Sequence, residues 1–347
     1  MKGRVIMKKC SLFIAVAMAL LLLTLSTAHA GEKLRVGVLK LTSSAPIFIA
    51  VEKGFFKEQG LDIEQVFFRS AQPVAVAMAS GDIVVGATGI TAGLYNAIAG
   101  GFKMKIVADK GREWEGYQLC GIMVSKKAWD KGLRTIKDLK GHRVGVTQIG
   151  STFHYMLGNM LEKNGMTLKD VKVTPLGGVK SMMDTVASDQ IETAFMVQPF
   201  CSVMEAKKMG HRMLWVSDYL NYQIAVIFFG DTMTKDRKTS DAFMRAYIKG
   251  CRCYYDNCLK KKDGKTVRGP YFDEVMQIIS KYTGRKPKLI AMGLNYNDRN
   301  GRLYAEDIQH QIDWYYDHGL IGKRLDARKI VDISFWERAM KELGLKP

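Results

Sequence analysis

The sequence has 347 residues, 47% of them hydrophobic, with 52 Lys and Arg against 34 Asp and Glu and a formal charge of +18. That length and apolar content suffice for two lobes of ordinary domain size and exclude a disordered chain. The positive excess suits an anionic solute or a membrane surface; no nucleic-acid motif accompanies it, so nucleic acid is not an expected partner.

The first element is an export signal. Lys2, Arg4, Lys8 and Lys9 form a basic start, Leu12–Leu25 is almost wholly apolar, and Ala28-His29-Ala30 precedes Gly31. Small residues one and three places before a cut, after an apolar run of about 7–15 residues, are what signal peptidase reads. A membrane span wants about 20 apolar residues, and this run ends sooner. Residues 1–30 are therefore expected to be a signal peptide cleaved after Ala30. Cys10 lies before the apolar run and no cysteine closely follows the cut, so a lipid tether is not expected. The mature chain is expected to be free in a periplasm. Losing four basic and no acidic residues takes its charge from +18 to +14.

From Leu34 short β-rich runs alternate with helical ones. The strands are expected at Leu34–Leu39, Ile63–Phe68, Ile83–Ala87, Lys105–Ala108, Gly121–Val124, Arg143–Thr147, Val171–Pro175, Thr193–Val197, Arg212–Val216 and Gln223–Phe229. Helices fall between them, as at Pro46–Phe56 and at Phe153–Lys163, where Phe153, Met156, Leu157, Met160 and Leu161 share one face. Such alternation predicts an α/β fold of mostly parallel sheets flanked by helices, with ligands in the crevice beyond the strand ends. After about Ser240 the chain turns helical, with segments at Asp241–Leu259, Tyr271–Tyr282, Ala305–Gly319 and Phe335–Leu343. Ile308, Ile312, Trp314 and Tyr315 read as a packing face.

Five cysteines follow the signal: Cys120, Cys201, Cys251, Cys253 and Cys258. The odd number leaves at least one unpaired within the chain. Cys251, Cys253 and Cys258 are close enough for one local disulfide or for none, and their spacing is not that of a zinc framework. No metal site and no cofactor are expected.

The landmarks come in a telling order. Leu34-Arg35-Val36-Gly37 opens a strand and Glu52-Lys53-Gly54-Phe55-Phe56 ends its helix. Ala79-Ser80-Gly81-Asp82-Ile83-Val84-Val85-Gly86 leads into Thr88-Gly89, and Asp138-Leu139-Lys140-Gly141-His142-Arg143-Val144-Gly145-Val146 precedes Gly150-Ser151-Thr152-Phe153-His154-Tyr155. Together these resemble the substrate-binding components of nitrate, sulfonate and taurine ABC importers, a group that takes in proteins similar to the thiamine-pyrimidine synthase of yeast. The resemblance implies a type II periplasmic binding protein whose two lobes are crossed twice by the chain. Lobe one is then 31–119 plus 221–347 and lobe two 120–220. It also implies ABC permease and ATPase subunits as partners, a monomer, and a small anion as ligand.

Four loops carry the expected site. Thr42, Ser43 and Ser44 precede Pro46 at a helix start, where they can cap the helix or face the crevice. Thr88, Gly89 and Thr91 follow the third strand, and the glycine lets a ligand approach the backbone. Gly150, Ser151 and Thr152 join a strand directly to a helix. A helix start carries free N–H groups and about half a positive charge, so Ser151 and Thr152 are the strongest anion-binding candidates, with His154 a weaker one. Gln198-Pro199-Phe200 closes the set. Relatives often have an acidic residue or Trp at the first of these places; neutral Gln198 disfavours an ammonium-bearing ligand such as taurine and leaves nitrate, sulfonates and carboxylates, with Phe200 as an apolar wall. Gly177, Gly178, Trp114, Tyr117 and Arg69 are secondary candidates.

Two other functions fit the same sequence. One is an enzyme like the yeast pyrimidine synthase, whose cysteine-rich segment has no counterpart here beyond Cys201. The other is a binding protein that feeds a membrane signalling receptor. No catalytic constellation can be nominated, so the expected reading is an importer's binding protein without enzymatic activity.

Overall fold

The computed structural model describes residues 33–346; the expected signal peptide lies outside them. Ten strands form two five-stranded sheets. The first holds β1 (Leu34–Leu39), β2 (Ile63–Phe68), β3 (Val85–Gly89), β4 (Met104–Glu113) and β10 (Tyr222–Gly230), in the order β2-β1-β3-β10-β4. The second holds β5 (Cys120–Val124), β6 (Arg143–Val146), β7 (Lys172–Pro175), β8 (Thr193–Val197) and β9 (His211–Trp215), in the order β7-β6-β8-β5-β9.

Both sheets are mixed in one particular way. β1 runs parallel to β2 and β3, while β10 is antiparallel to β3 and β4. β6 runs parallel to β7 and β8, while β5 is antiparallel to β8 and β9. Four strands of each sheet therefore share a direction. The fifth, β5 or β10, is the first strand laid down after the chain passes from one sheet to the other. A short passage between sheets leaves no helical crossover to reverse direction, so these strands enter antiparallel.

All ten expected strands are present with small shifts of end. The exception is β4, which continues five residues past the expected Ala108 through Asp109-Lys110-Gly111-Arg112-Glu113. A charged run normally marks the end of a strand; here all four charged side chains are buried. A short lysine-rich hairpin, β11 (Lys261–Lys262) with β12 (Lys265–Thr266), is an addition to the expected elements.

The helical region after β10 has a long Arg237–Cys258 helix and further helices at Phe272–Thr283, Glu306–Asp317 and Ser334–Glu342. Ile308, Ile312, Trp314 and Tyr315 are buried, as a packing face requires. Trp314 lies over Gly158 of the Thr152–Lys163 helix so closely that a β-carbon there would sit 2.2 Å from the indole. All five cysteines are free. The considered local disulfide is absent for a geometric reason: Cys251, Cys253 and Cys258 share one helix. The first two point to opposite sides, and Cys258 lies about 7.5–10.5 Å along the axis from either, beyond a disulfide's span. Among the described residues no helix is long and apolar enough to cross a membrane.

Asp109 fastens β4 in place. Fully buried, its carboxylate accepts from Gln223 Nε2 at 2.5 Å, Gly111 N at 3.0 Å and Asp298 N at 2.8 Å, with Arg112 Nε 3.5 Å away. Burial pushes its pKa up, and the Arg112 guanidinium and the Gln223 and Asp298 donors oppose that rise. Asp109→Ala strands the donors in a dry interior and is expected to destabilise the fold by about 3–5 kcal/mol. Urea unfolding measures this directly; a loss under about 1 kcal/mol would show that the network is not structural.

Candidate functional site

The turns at the ends of both sheets line a cavity of about 60 Å³, whose wall takes Ser43, Ser70, Thr88 and Lys110 from the first sheet's segments and Cys120, Thr147 and Thr152 from the second's. The two sides touch around it. Gln148 Nε2 donates to Ser70 Oγ at 2.9 Å, and Ala92 N donates to Gly150 O at 2.8 Å. A β-carbon on Gly89 would lie 2.8 Å from Thr152 Cγ2. Glycine is required here by the close approach of the two sides.

Lys110 is the charged member of the wall, and a β-bulge puts it there. Along β4 and β10, Asp109 opposes Val226 and Gly111 opposes Ala225, so Lys110 is an extra residue with no partner in the ladder. Ile224 is extra on the other strand, between Gln223 and Ala225, and it also lines the cavity. Bulges re-aim side chains in this way. Lys110 is 2% exposed, and its Nζ donates to Ser43 Oγ at 3.0 Å. Burial lowers its pKa to about 7, with a smaller opposing pull from Asp109. Thr88 Oγ1, also in the wall, is buried without a partner. An ammonium and a free hydroxyl facing a dry space form a site for a group that carries negative charge and accepts hydrogen bonds.

The expected residues divide between this wall and other tasks. Ser43, Thr88, Gly89 and Thr152 line the cavity. Ser44 Oγ donates to Leu39 O at 2.8 Å, tying its own turn, and Thr42 Oγ1 is buried outside the lining without a partner. Thr91 caps the Ala92–Ala99 helix by accepting from Leu94 N, and Ser151 caps the Thr152–Lys163 helix by accepting from His154 N. Those hydroxyls serve the local helix starts, as N-cap residues do. His154 Nδ1 accepts the Gly150 N–H at 3.0 Å, and the ring stands edge-on to Trp314. Burial lowers its pKa to about 4, with a smaller contribution from His318, so it is neutral and structural at physiological pH.

Gln198 turns away from the cavity. Its Oε1 accepts from Ser202 N and Oγ, and its amide is packed against Gly293, where a β-carbon would lie 1.8 Å from Nε2. Trp114 stacks on Tyr296 at 5.5 Å and Tyr117 lies 5.0 Å from the same ring, so neither lids the cavity. Phe200, Gly177, Gly178 and Arg69 line a larger open basin of about 740 Å³. The residues missed from the sequence are Lys110, Ser70, Cys120 and Thr147. Lys110 had one usable signal: a charged run continuing a β-rich segment at the expected passage between sheets.

The profile of the family described as NMT1/THI5 like matches residues 41–258. The chain belongs to that family. A Bacillus subtilis (strain 168) protein named for binding aliphatic sulfonates is 22% identical over 322 residues, which cover 90% of this chain and 89% of that one. The alkanesulfonate-binding protein SsuA from Xanthomonas axonopodis pv. citri, solved bound to MOPS, has a TM-score of 0.70 at 18% identity, covering 88% of this chain and 99% of that one. The periplasmic nitrate-binding protein NrtA from Synechocystis PCC 6803 has a TM-score of 0.72 at 17% identity, covering 90% and 89%. The two solved structures share the expected two-lobed periplasmic binding fold.

Lys110 sets a test. Its proton is held to the ordinary value of 10.5 in the unfolded chain but only to about 7 in the empty fold. Folding therefore releases a proton between those values, and this residue's contribution makes the empty protein more stable as pH rises through that window. Lys110→Met keeps the volume and removes the buried charge. Thermal melts at pH 6 should show equal or higher stability for the empty variant, while calorimetry should show anion binding weakened at least about a hundredfold. A variant that is less stable at pH 6 yet binds anions as tightly as wild type contradicts this role.

Proposed function

We propose that this chain is the periplasmic solute-binding component of an ABC importer, which captures a small anion of the sulfonate, nitrate or carboxylate class between two lobes. The carrying observation is the small cavity in which the Lys110 ammonium and the free Thr88 hydroxyl meet Ser43 and Thr152. In this reading the lobes are 31–119 plus 221–347 and 120–220, a division favoured by the partition of the strands between the sheets. Residues 1–30 direct export and are removed after Ala30. The protein works as a monomer and delivers its ligand to permease and ATPase subunits.

The arrangement suits capture by closure. The wall draws residues from both sides, so the ligand gains its full set of contacts only when the sides meet, and differential affinity for that state is what drives closure. No reacting group is needed. Cys120 is the cysteine in the wall, and burial first, then the neighbouring Glu113, keep its thiol well above the ordinary pKa. A thiol held protonated is a poor nucleophile. Cys201 is buried under the second sheet, and Cys251, Cys253 and Cys258 lie on a helix away from the cavity, so the pyrimidine-synthase alternative gains no support.

A thermal-shift screen of the exported protein across nitrate, bicarbonate, alkanesulfonates, carboxylates and pyrimidines tests the proposal. At least one anion should raise the melting temperature in a concentration-dependent way, and mass spectrometry should recover it unchanged. Stabilisation by cations or neutral solutes alone would overturn the anion assignment, and conversion of the bound compound would overturn the receptor assignment.

A further inference from the structure

The cavity around Lys110 is small for its fold. At about 60 Å³ it accommodates an acid group and little more, against roughly 300–1,000 Å³ for a typical small-molecule pocket. It does not stand alone. Leu39, Leu41 and Val179 line both this cavity and the open basin of about 740 Å³, so one solute can occupy the two in sequence.

The basin has a definite chemistry. Phe67, Phe68 and Phe200 give it an aromatic wall, and Phe67 is 38% exposed at its surface. Its charged lining residues are Lys40, Arg69 and Lys180, with no Asp or Glu among them. Lys180 is engaged by Asp184 at 2.6 Å, and Lys40 stands 4.9 Å from the centre of the Phe67 ring. Gly178, at the start of the Val179–Ala187 helix, has no side chain to cap it, so that helix presents backbone N–H groups between cavity and basin. The order inward is thus cations and aromatics, an apolar neck, then a buried ammonium.

We propose that the solute is an elongated dianion with an apolar body, one acid group seated beside Lys110 and the other held at the mouth by Arg69 and Lys40. This rests on the anion-receptor reading and narrows its substrate class. A mononuclear inorganic anion fills the inner cavity but leaves the aromatic wall and the outer cations without a partner. A monocarboxylate or monosulfonate can pair with Lys110 and cover the wall but leaves the outer cations without a partner. A solute with an acid at each end, carboxylate or sulfonate, satisfies both charges and spends its body on the rings.

Calorimetry with nitrate, with butanoate to octanoate and benzoate, and with succinate to suberate and terephthalate tests this. The best dianion should bind at least about tenfold more tightly than the monoanion of equal length, the scale of one charge-assisted contact near a surface. Arg69→Gln should narrow that gap to about twofold. Equal affinity for the two series, preference for nitrate, or a gap that survives Arg69→Gln overturns the inference. Failures are separable: if monoanions bind in a Lys110-dependent way and the second acid adds nothing, the dianion is wrong and the receptor stands. If no anion binds at all, the receptor reading falls first.

Discussion

A lysine ammonium buried without a counter-ion is the constraint on which the site depends. Lys110 is held by one hydroxyl, from Ser43, and the neighbouring acid, Asp109, is committed elsewhere to Gln223 and two backbone N–H groups. Burial of an ammonium is unfavourable unless it is paired, and the group responds by giving up its proton more easily. In the proposed function an arriving anion relieves that cost: it raises the pKa of Lys110 and gains a full charge as partner. Backbone geometry makes this possible: the bulge that leaves Lys110 unpaired in the ladder aims it inward, and Asp109 locks the bulged strand against β10 and the 298–301 turn.

Binding and shape follow from one arrangement. Ser43, Thr88 and Lys110 belong to segments of the first sheet, and Cys120, Thr147 and Thr152 to those of the second. Gly89 has no side chain because Thr152 fills that space. A group that needs both walls favours the state in which they touch, and contacts outside the cavity wall, such as Ala92 N with Gly150 O, join the same equilibrium. Trp314 and Tyr315 add a further tie, through Gly158 and the Ser151 carbonyl.

Most of the fold was legible because hydrophobic period and turn chemistry act locally. All ten strands of the two sheets and the helical character of the C-terminal region follow from such patterns. The candidate site's loops were legible, but only some of the residues lining its cavity were. Ser43, Thr88, Gly89 and Thr152 stand where a strand-end crevice places them, yet Thr91 and Ser151, of the same residue types, turn back to cap helices. Sequence spacing does not distinguish these, because a hydroxyl at a helix start has both options and only the tertiary surroundings choose. Gln198 was drawn toward Gly293, a contact between residues 95 places apart in the chain. Lys110 was hidden for the opposite reason: four charges in five residues read as a solvated stretch, and the long-range pairing that buries them is invisible locally.

The central claim is that the anion supplies the counter-ion missing beside Lys110. Its most direct measure is proton uptake on binding, obtained by titration calorimetry at pH 8 in two buffers of different ionisation enthalpy. With a free-state pKa of about 7, Lys110 is mostly neutral at that pH before the anion arrives and protonated afterwards. Uptake close to one proton per anion is the expected result, falling toward zero in Lys110→Met. Binding of a fully ionised anion with no proton uptake at pH 8 would contradict it.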